Sequence, residues 1–459
     1  MKLTTDINKN IFRGYDIRGK YPTDLNEDVY YTIGRSFGTY IQKFDQKKCV
    51  VGHDNRYSSE ELVRALITGL TDSGIDVINI GLVTTPMYYY AQIKLNILTG
   101  MMVTASHNPK DENGIKYSIN SFTNCKGEEI QDFYKFTMEQ QFAEDIPLGE
   151  LTEYDIRDEY IDLYKSILKF GDRRVKVVLD PGNGTTTTII KDLFREFPID
   201  FDIICGESDP MFPNHHPDPC VEDNLKMLKE RVLETKADLG IGFDGDGDRV
   251  GVISNSGKFI PTDKYMIIII RDIINKVTKK EFLYDIKCSK SLSDEIERLG
   301  GKGICYRTGN SYTKGRVKEL DLPFGGELSG HVYFRDRWPG FDSGLYAGLR
   351  LLEILSYTDK QVDDLLEGIN EYYSTEELKF TSTDEKKVEV VDKIIKYCEE
   401  KGYNTNTIDG VRADFSDGWG LVRYSNTGPN ITARFEGNTP ERLEELQKEF
   451  VNLIEEYNK

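Results

Sequence analysis

Histidine is scarce in this chain of 459 residues, with five in all, and none stand at H-x₃-H or H-E-x-x-H spacing. A zinc site of the usual short spacing is therefore not expected. The seven cysteines are odd in number and scattered, with no C-x-x-C pair. They read as reduced thiols of a cytosolic protein. Long apolar runs are missing too: the longest aliphatic stretch, Met266 to Ile270, is far short of a membrane span. Met1-Lys2-Leu3-Thr4-Thr5-Asp6 carries no apolar signal core, so a cytoplasmic location is expected. Positive charge is in deficit, with 59 Lys and Arg against 78 Asp and Glu, a formal net charge of −19. That balance argues against general nucleic-acid or anionic-membrane binding. A phosphate ligand would need arginines, lysines and backbone amides gathered in one place.

What is present is the composition of a folded protein, 38% hydrophobic and 30% charged. The length calls for roughly three or four domains. The first three-quarters alternates short apolar runs with helical patterns, as in α/β architecture. Cys49–Gly52 reads as a strand, and Ser58 with Glu61 as a capping box opening a helix that Gly74 ends. Val77–Ile80 is the next strand, and Gly100–Thr104 is a strand that runs into Ser106. In a second unit, strand Val175–Leu179 leads into the turn Asp180-Pro181-Gly182-Asn183-Gly184. Strand Asp238–Phe243 then runs into Asp244. A third unit carries helices at Tyr265–Val277 and Leu345–Leu355, and a strand at Phe282–Ile286. Past a charged linker, strands bracketed by helices read as an α+β domain.

Four segments carry chemistry. Thr104-Ala105-Ser106-His107-Asn108-Pro109 displays a hydroxyl at a strand end, where it needs a neighbour or a metal to become a nucleophile. In Asp244-Gly245-Asp246-Gly247-Asp248-Arg249 three carboxylates alternate with glycines, a hard-oxygen set suited to Mg²⁺ held together with a phosphate oxygen. Arg249 and Asn255 stand where a calcium EF-hand loop wants Gly and Glu. Gly325-Gly326-Glu327-Leu328-Ser329-Gly330-His331 sets Glu327 and Ser329 two apart, able to grip adjacent sugar hydroxyls if extended. Arg423-Tyr424-Ser425-Asn426-Thr427-Gly428-Pro429 has the parts of a phosphate nest. Alone, the serine, Glu327/Ser329 and Arg423 segments are also compatible with ordinary polar turns, whereas a solvated acidic turn would not explain why a strand delivers the three aspartates.

Together and in this order these segments resemble the α-D-phosphohexomutase family, most closely its bacterial phosphomannomutase/phosphoglucomutase branch. The likeness extends over Ile11–Gly19, Val51–Arg56, Asn113–Lys116, Phe212–Pro217, Asp285–Cys288 and Arg307–Ser311. It implies three related α/β domains and a smaller α+β domain around a central cleft. The divisions expected are 1–152 with the phosphoserine loop, 153–255 with the metal loop, 256–368 with the sugar loop and 369–459 with the phosphate-binding loop. The implied activity interconverts hexose 1- and 6-phosphates of mannose or glucose through a phosphoserine and a 1,6-bisphosphate, which also serves as activator. Ser106 aligns with the phosphoserine, and Ser106, Asp244, Asp246 and Asp248 with the magnesium ligands. Arg18, His107, Lys116 and His331 align with catalytic or proton-handling groups. Glu327 and Ser329 align with the readers of sugar hydroxyls. Arg423, Ser425, Asn426 and Thr427 match the clamp on the other phosphate, while Tyr15, Arg249, Lys287, Thr308 and Gly309 match further substrate contacts. Phosphohexoses are the implied partners, and the chain is expected to be a monomer or weak dimer. Asn310 stands where the branch often has His, and Leu328 where it has Met. Phosphoglucosamine mutase and hexose-bisphosphate synthase share most of these residues. A non-catalytic relative should have lost Ser106 or an aspartate.

Overall fold

The computed structural model describes residues 1–142, 144–425 and 428–459. The chain forms two compact units, one of residues 1–262 with 329–365, the other of 263–328 with 366–459.

The first unit contains two sheets. Strands β1 (Ile17–Lys20), β2 (Lys48–His53), β3 (Asp76–Leu82), β4 (Gly100–Val103), β5 (Glu112–Ser118) and β6 (Leu151–Glu153) form one, in the order β1-β5-β4-β2-β3-β6. Its centre is parallel, β4 with β2 and β2 with β3, whereas β5 runs antiparallel to β4. Both faces of β4 are buried, which is why Gly100–Val103 is a continuous apolar run. Helices Glu27–Ile41 and Ser59–Thr71 pack side by side where Gly34 meets Gly69; a Cβ on Gly69 would lie 2.4 Å from the Tyr31 oxygen. Leu62, Leu66 and Leu70 are completely buried on the second helix, each stabilising the fold by about 1.5–3 kcal/mol.

The expected helix at Ser59 is present, but the capping box is not. Ser58 makes no side-chain cap. Its oxygen instead accepts from Asn113 Nδ2 at 2.8 Å, and the Glu61 carboxylate accepts from the Tyr21 hydroxyl at 3.5 Å. Both groups serve tertiary partners.

In the second sheet, β7 (Val175–Asp180), β8 (Ile199–Ile203), β9 (Leu239–Phe243), β10 (Val250–Ser254) and β11 (Phe259–Ile260) are ordered β11-β10-β9-β7-β8. β7 is parallel to both neighbours, and β9 turns back antiparallel into β10 through the aspartate loop. Helix Gly344–Ser356 covers this sheet; a Cβ on Gly348 would touch Ile241 at 3.2 Å.

In the second unit β12 (Glu281–Asp285) lies parallel to β13 (Lys302–Tyr306) and to β14 (Phe324–Gly326). The expected helix from Tyr265 ends at Ile273, before Val277. The C-terminal sheet runs Tyr373–Ser374, Asn430–Gly437, Gly418–Tyr424, Val411–Phe415, Asn404–Asn406, with Leu378–Thr381 also on Asn430–Gly437. Helices Asp384–Glu400 and Pro440–Tyr457 bury Val390, Ile394, Phe450 and Ile454 against it. This is the α+β tail expected from the pattern.

Candidate active site

Ser106 follows β4 at φ +52, a left-handed conformation that a non-glycine residue rarely adopts. Several side chains hold it there. Thr104 Oγ1 accepts from the Ser106 amide at 2.9 Å. The Arg56 guanidinium donates to the carbonyls of Ser106 (2.8 Å), Asn108 (2.6 Å), Pro109 (2.6 Å) and Glu112 (3.0 Å). Asp54 receives the Arg56 amide at 3.0 Å and the Ala105 amide at 3.3 Å. The motif after β2 thus shapes the serine loop.

The aspartate loop approaches from between β9 and β10. A Cβ on Gly245 would lie 2.5 Å from the Ser106 carbonyl oxygen, so only glycine permits this contact. Three peptide N–H groups grip the loop: Thr85 on Asp246 O (2.9 Å), Thr185 on Gly245 O (2.9 Å) and Gly344 on Gly247 O (3.0 Å). Thr85 and Gly344 each open a helix, and their amides are among those left without a helical partner.

The side chains then converge. Ser106 Oγ donates to Asp244 Oδ2 at 2.6 Å and lies 3.4 Å from His107 Nδ1. Asp246 Oδ2 accepts from Thr85 Oγ1 (2.6 Å), Lys116 Nζ (2.8 Å) and Thr104 Oγ1 (3.2 Å). Lys116 Nζ also donates to Asp248 Oδ2 at 2.5 Å. All three aspartates are buried, and one oxygen from each lies within 4.8 Å of the others. Asp246 Oδ1 and Asp248 Oδ1 are buried without a hydrogen-bond partner.

Burial, with Asp248 and Asp246 close by, pushes the Asp244 carboxyl well above the usual range. Burial acts the same way on Asp246, but Lys116 and the donors on Oδ2 outweigh it and hold that carboxyl low. Burial likewise disfavours the Lys116 ammonium, yet Asp246 and Asp248 outweigh it and keep the group charged. Buried carboxylates in excess, with oxygens aimed at no donor, fit a hard divalent cation.

Around them, Arg18 pairs with Asp16 at 2.8 Å. His331 Nδ1 stands 2.9 Å from Asp342 and 3.5 Å from Asp248, and its Nε2 accepts from Arg249 Nε at 3.1 Å. Burial, then Arg249 and Arg18, press His107 well below the ordinary imidazole value and keep it neutral. Tyr15 and Ser329 are half-buried in the same unit.

The second unit holds its own polar group. Glu327 is buried, its Oε1 accepting from the Gly309 amide (2.5 Å) and from Thr313 Oγ1 (3.0 Å). Asp285 receives Thr308 Oγ1 and the Leu328 amide, each at 3.1 Å. Asp409 accepts from the Thr308 amide at 3.1 Å and pairs with Arg423 Nη2 at 3.0 Å. Lys287 lies 3.7 Å from Glu377, whose charge with that of Asp285 outweighs burial and raises the ammonium. The Ser425 amide donates to Asn430 O at 2.8 Å. Asn426 and Thr427 lie outside the described residues. Glu327 belongs to this unit and Ser329 to the first.

Sequence reasoning missed Arg56, Asp54, Thr85 and Asp342 as supports. Arg56 and Asp54 stood inside a quoted motif, the one signal available; nothing local marked Thr85 or Asp342. No helix among the described residues is long and apolar enough to cross a membrane.

Comparison with known proteins gives a consistent result. Models of the phosphoglucomutase/phosphomannomutase α/β/α domains I, II and III match residues 9–144, 158–257 and 261–372, and that of the C-terminal domain matches 377–453. A phosphomannomutase/phosphoglucomutase of Pseudomonas syringae is 40% identical, covering 96% of this chain and 94% of the relative. A phosphoglucomutase of Neisseria gonorrhoeae is 37% identical over 98% and 97%. The crystal structure of a phosphoglucomutase/phosphomannomutase family protein from Burkholderia thailandensis superposes with a TM-score of 0.91 at 35% identity, covering 98% of each chain.

Proposed function

The chain belongs to the phosphoglucomutase/phosphomannomutase family, and on that premise we propose that Ser106 carries the phosphoryl group in its hexose-phosphate mutase activity. The enzyme is an isomerase, and its substrates in this reading are the 1- and 6-phosphates of mannose and glucose. The observation that carries the reading is the 2.6 Å bond from Ser106 Oγ to Asp244 within a buried set of three carboxylates.

In the forward half-reaction the P–Oγ bond of phospho-Ser106 breaks as a substrate hydroxyl oxygen bonds to phosphorus. The hydroxyl proton leaves to a base and a 1,6-bisphosphate forms. The intermediate turns end for end, and its other phosphoryl group returns to Ser106. Asp244, Asp246, Asp248 and Ser106 would hold Mg²⁺, which when bound neutralises charge on the transferring group. Lys116, held protonated by two aspartates, serves as a fixed positive charge. Neutral His107, and His331 beside Asp342, are the candidates to take the proton, with Arg18 and Arg249 placed to attract phosphate oxygens.

Glu327 and Ser329 read hydroxyls common to both sugars, with Lys287, Thr308, Gly309 and Tyr15 as further contacts. Arg423, Ser425, Asn426 and Thr427 clamp the phosphate that is not reacting. The bisphosphate doubles as activator. A cytoplasmic, four-domain enzyme divided at 1–152, 153–255, 256–368 and 369–459 completes the proposal.

Intact-mass analysis of freshly purified protein should show a phosphorylated fraction that maps to Ser106. Ser106→Ala should lose nearly all turnover on a panel of hexose 1-phosphates while still binding them. Near-normal rates in that variant with bisphosphate supplied would refute the proposal. A preference for glucosamine phosphate by orders of magnitude in kcat/KM would move the chain to that specificity.

A further inference from the structure

A second group of metal-ligating side chains lies in the first unit, apart from the aspartate loop. Asp180 ends β7, Cys205 follows β8, and His215 comes from the Phe212–Pro217 segment. One ligand atom from each falls within 4.8 Å of the other two. Asp180 is fully buried and the His215 side chain only 11% exposed. These residues are too far apart in the chain to form a spacing motif, so sequence alone does not announce them.

Two features mark the cluster as more than an ion pair. First, His215 Nδ1 lies 3.0 Å from the His216 carbonyl, while Nε2 faces both Asp180 oxygens at 3.0 and 3.2 Å. With Nδ1–H given to a carbonyl, loss of the Nε2 proton leaves a lone pair aimed into the cluster, the arrangement in which imidazole binds metal ions. Second, Cys205 sits at φ +48 and Asn183 at φ +59, the Asn183 amide donating to Cys205 O at 3.0 Å. A left-handed non-glycine residue costs on the order of 1–3 kcal/mol. Here that backbone carries a thiol to within reach of both partners.

We propose that Asp180, Cys205 and His215 bind a transition-metal ion of the zinc class, at a site distinct from the hard-cation cluster of Asp244, Asp246 and Asp248. The mixed oxygen, sulfur and nitrogen donors suit Zn²⁺ or Co²⁺ and reject Mg²⁺. A tetrahedral ion with bonds of about 2.0–2.3 Å sets its ligand atoms roughly 3.3–3.8 Å apart, slightly more than the 3.0–3.2 Å between His215 Nε2 and Asp180. The Cys205 thiol and the His215 imidazolium each release a proton to solvent, water fills the fourth position, and no oxidation state changes.

The site also has a structural role. The turn from Asp180 leads to Gly184, where a Cβ would lie 2.7 Å from Gly245 O, and to Thr185, whose amide and hydroxyl hold that same oxygen at 2.9 and 3.0 Å. An ion on Asp180 pins the turn that supports the aspartate loop.

Reduced full-length protein, with Mg²⁺ in excess to occupy hard-oxygen sites, should be titrated with Co²⁺. The expected result is a thiolate-to-cobalt charge-transfer band and tetrahedral d–d bands that saturate at one ion per chain. Cys205→Ser should lose the charge-transfer band, His215→Ala should lose the tetrahedral d–d pattern, and Zn²⁺ should displace the signal. In wild-type protein, mass mapping should show Zn²⁺ shielding Cys205 from alkylation, a readout independent of any variant's folding. Absence of the band in reduced wild-type protein, its persistence in Cys205→Ser, or equal alkylation of Cys205 with and without Zn²⁺ would each overturn the proposal. None of these readouts depends on mutase turnover, so this site and the Ser106 reading fail separately.

Discussion

Arg56 Nη2 donates to the main-chain oxygen of Ser106 at 2.8 Å, and the same guanidinium reaches three more carbonyls of that loop. One rigid fork fixes a backbone that would otherwise relax out of its left-handed turn. Lysine has a point charge and cannot span four acceptors. Arg56→Lys should therefore lower kcat by about 100-fold, the cost of misplacing a reacting group by an ångström or so. Substrate KM should change little, because Arg56 lies behind the loop. Steady-state kinetics on glucose 1-phosphate, with the fraction of phosphorylated Ser106 by intact mass, checks both.

Asp246 has one oxygen surrounded by donors and another with none. Asp246→Asn keeps the shape but removes a charge from the hard-cation set and places an amide near Lys116. The Mg²⁺ concentration for half-maximal activity should rise by at least roughly 100-fold, above the losses typical of second-shell changes. Chelation should abolish wild-type activity and Mg²⁺ restore it. An unchanged Mg²⁺ requirement in the variant would remove Asp246 from the site.

Glu327 is committed on one oxygen to the Gly309 amide and Thr313 hydroxyl. Glu327→Ala strands two buried donors, at a cost of about 1–3 kcal/mol each. It should lower the unfolding midpoint and depress kcat/KM for mannose and glucose phosphates alike. Glu327→Gln retains an acceptor oxygen, so stability should recover while turnover stays low. Parallel thermal melts and kinetics on both sugars separate the two roles.

Burial alone would pull the His215 imidazole down, but the Asp180 carboxylate and the Cys205 thiol outweigh it and push the group up to about 10. The folded state therefore binds this proton more tightly than the unfolded chain, whose histidines titrate near about 6.5. The resulting stabilisation is complete below about pH 6.5 and is lost as pH rises through about 10. In chelator, wild type should be more stable than His215→Gln at pH 6.5, and the gap should close by pH 10. Urea denaturation across that range gives the comparison; a gap that widened with pH would reverse the assigned sign.

Much of this was legible in the sequence because it is local. Ser106 and the three aspartates stand at strand ends in short motifs, and the loops project them where the pattern places them. The capping box at Ser58 was local too, yet it failed, since Asn113 offered the serine oxygen a buried partner. Arg56 and Thr85 act on residues 50 and 161 positions away, and no periodicity reports contacts of that range. Glu327 and Ser329 stand two apart, and that spacing gives no sign that the first belongs to one compact unit and the second to the other.

The aspartate loop is gripped by amides of Thr85, Thr185 and Gly344, reaching it from three separate parts of the chain. Its shape is therefore imposed from outside and does not wait on an ion to organise it. Asp244, Asp246 and Asp248 would meet an entering cation already in position, and the slow event would be the loss of its hydration water. Activity regained after chelation should then follow the ligand-exchange tempo of the added ion, differing between Mg²⁺ and the faster-exchanging Mn²⁺, instead of the single tempo that a refolding loop would impose on every metal.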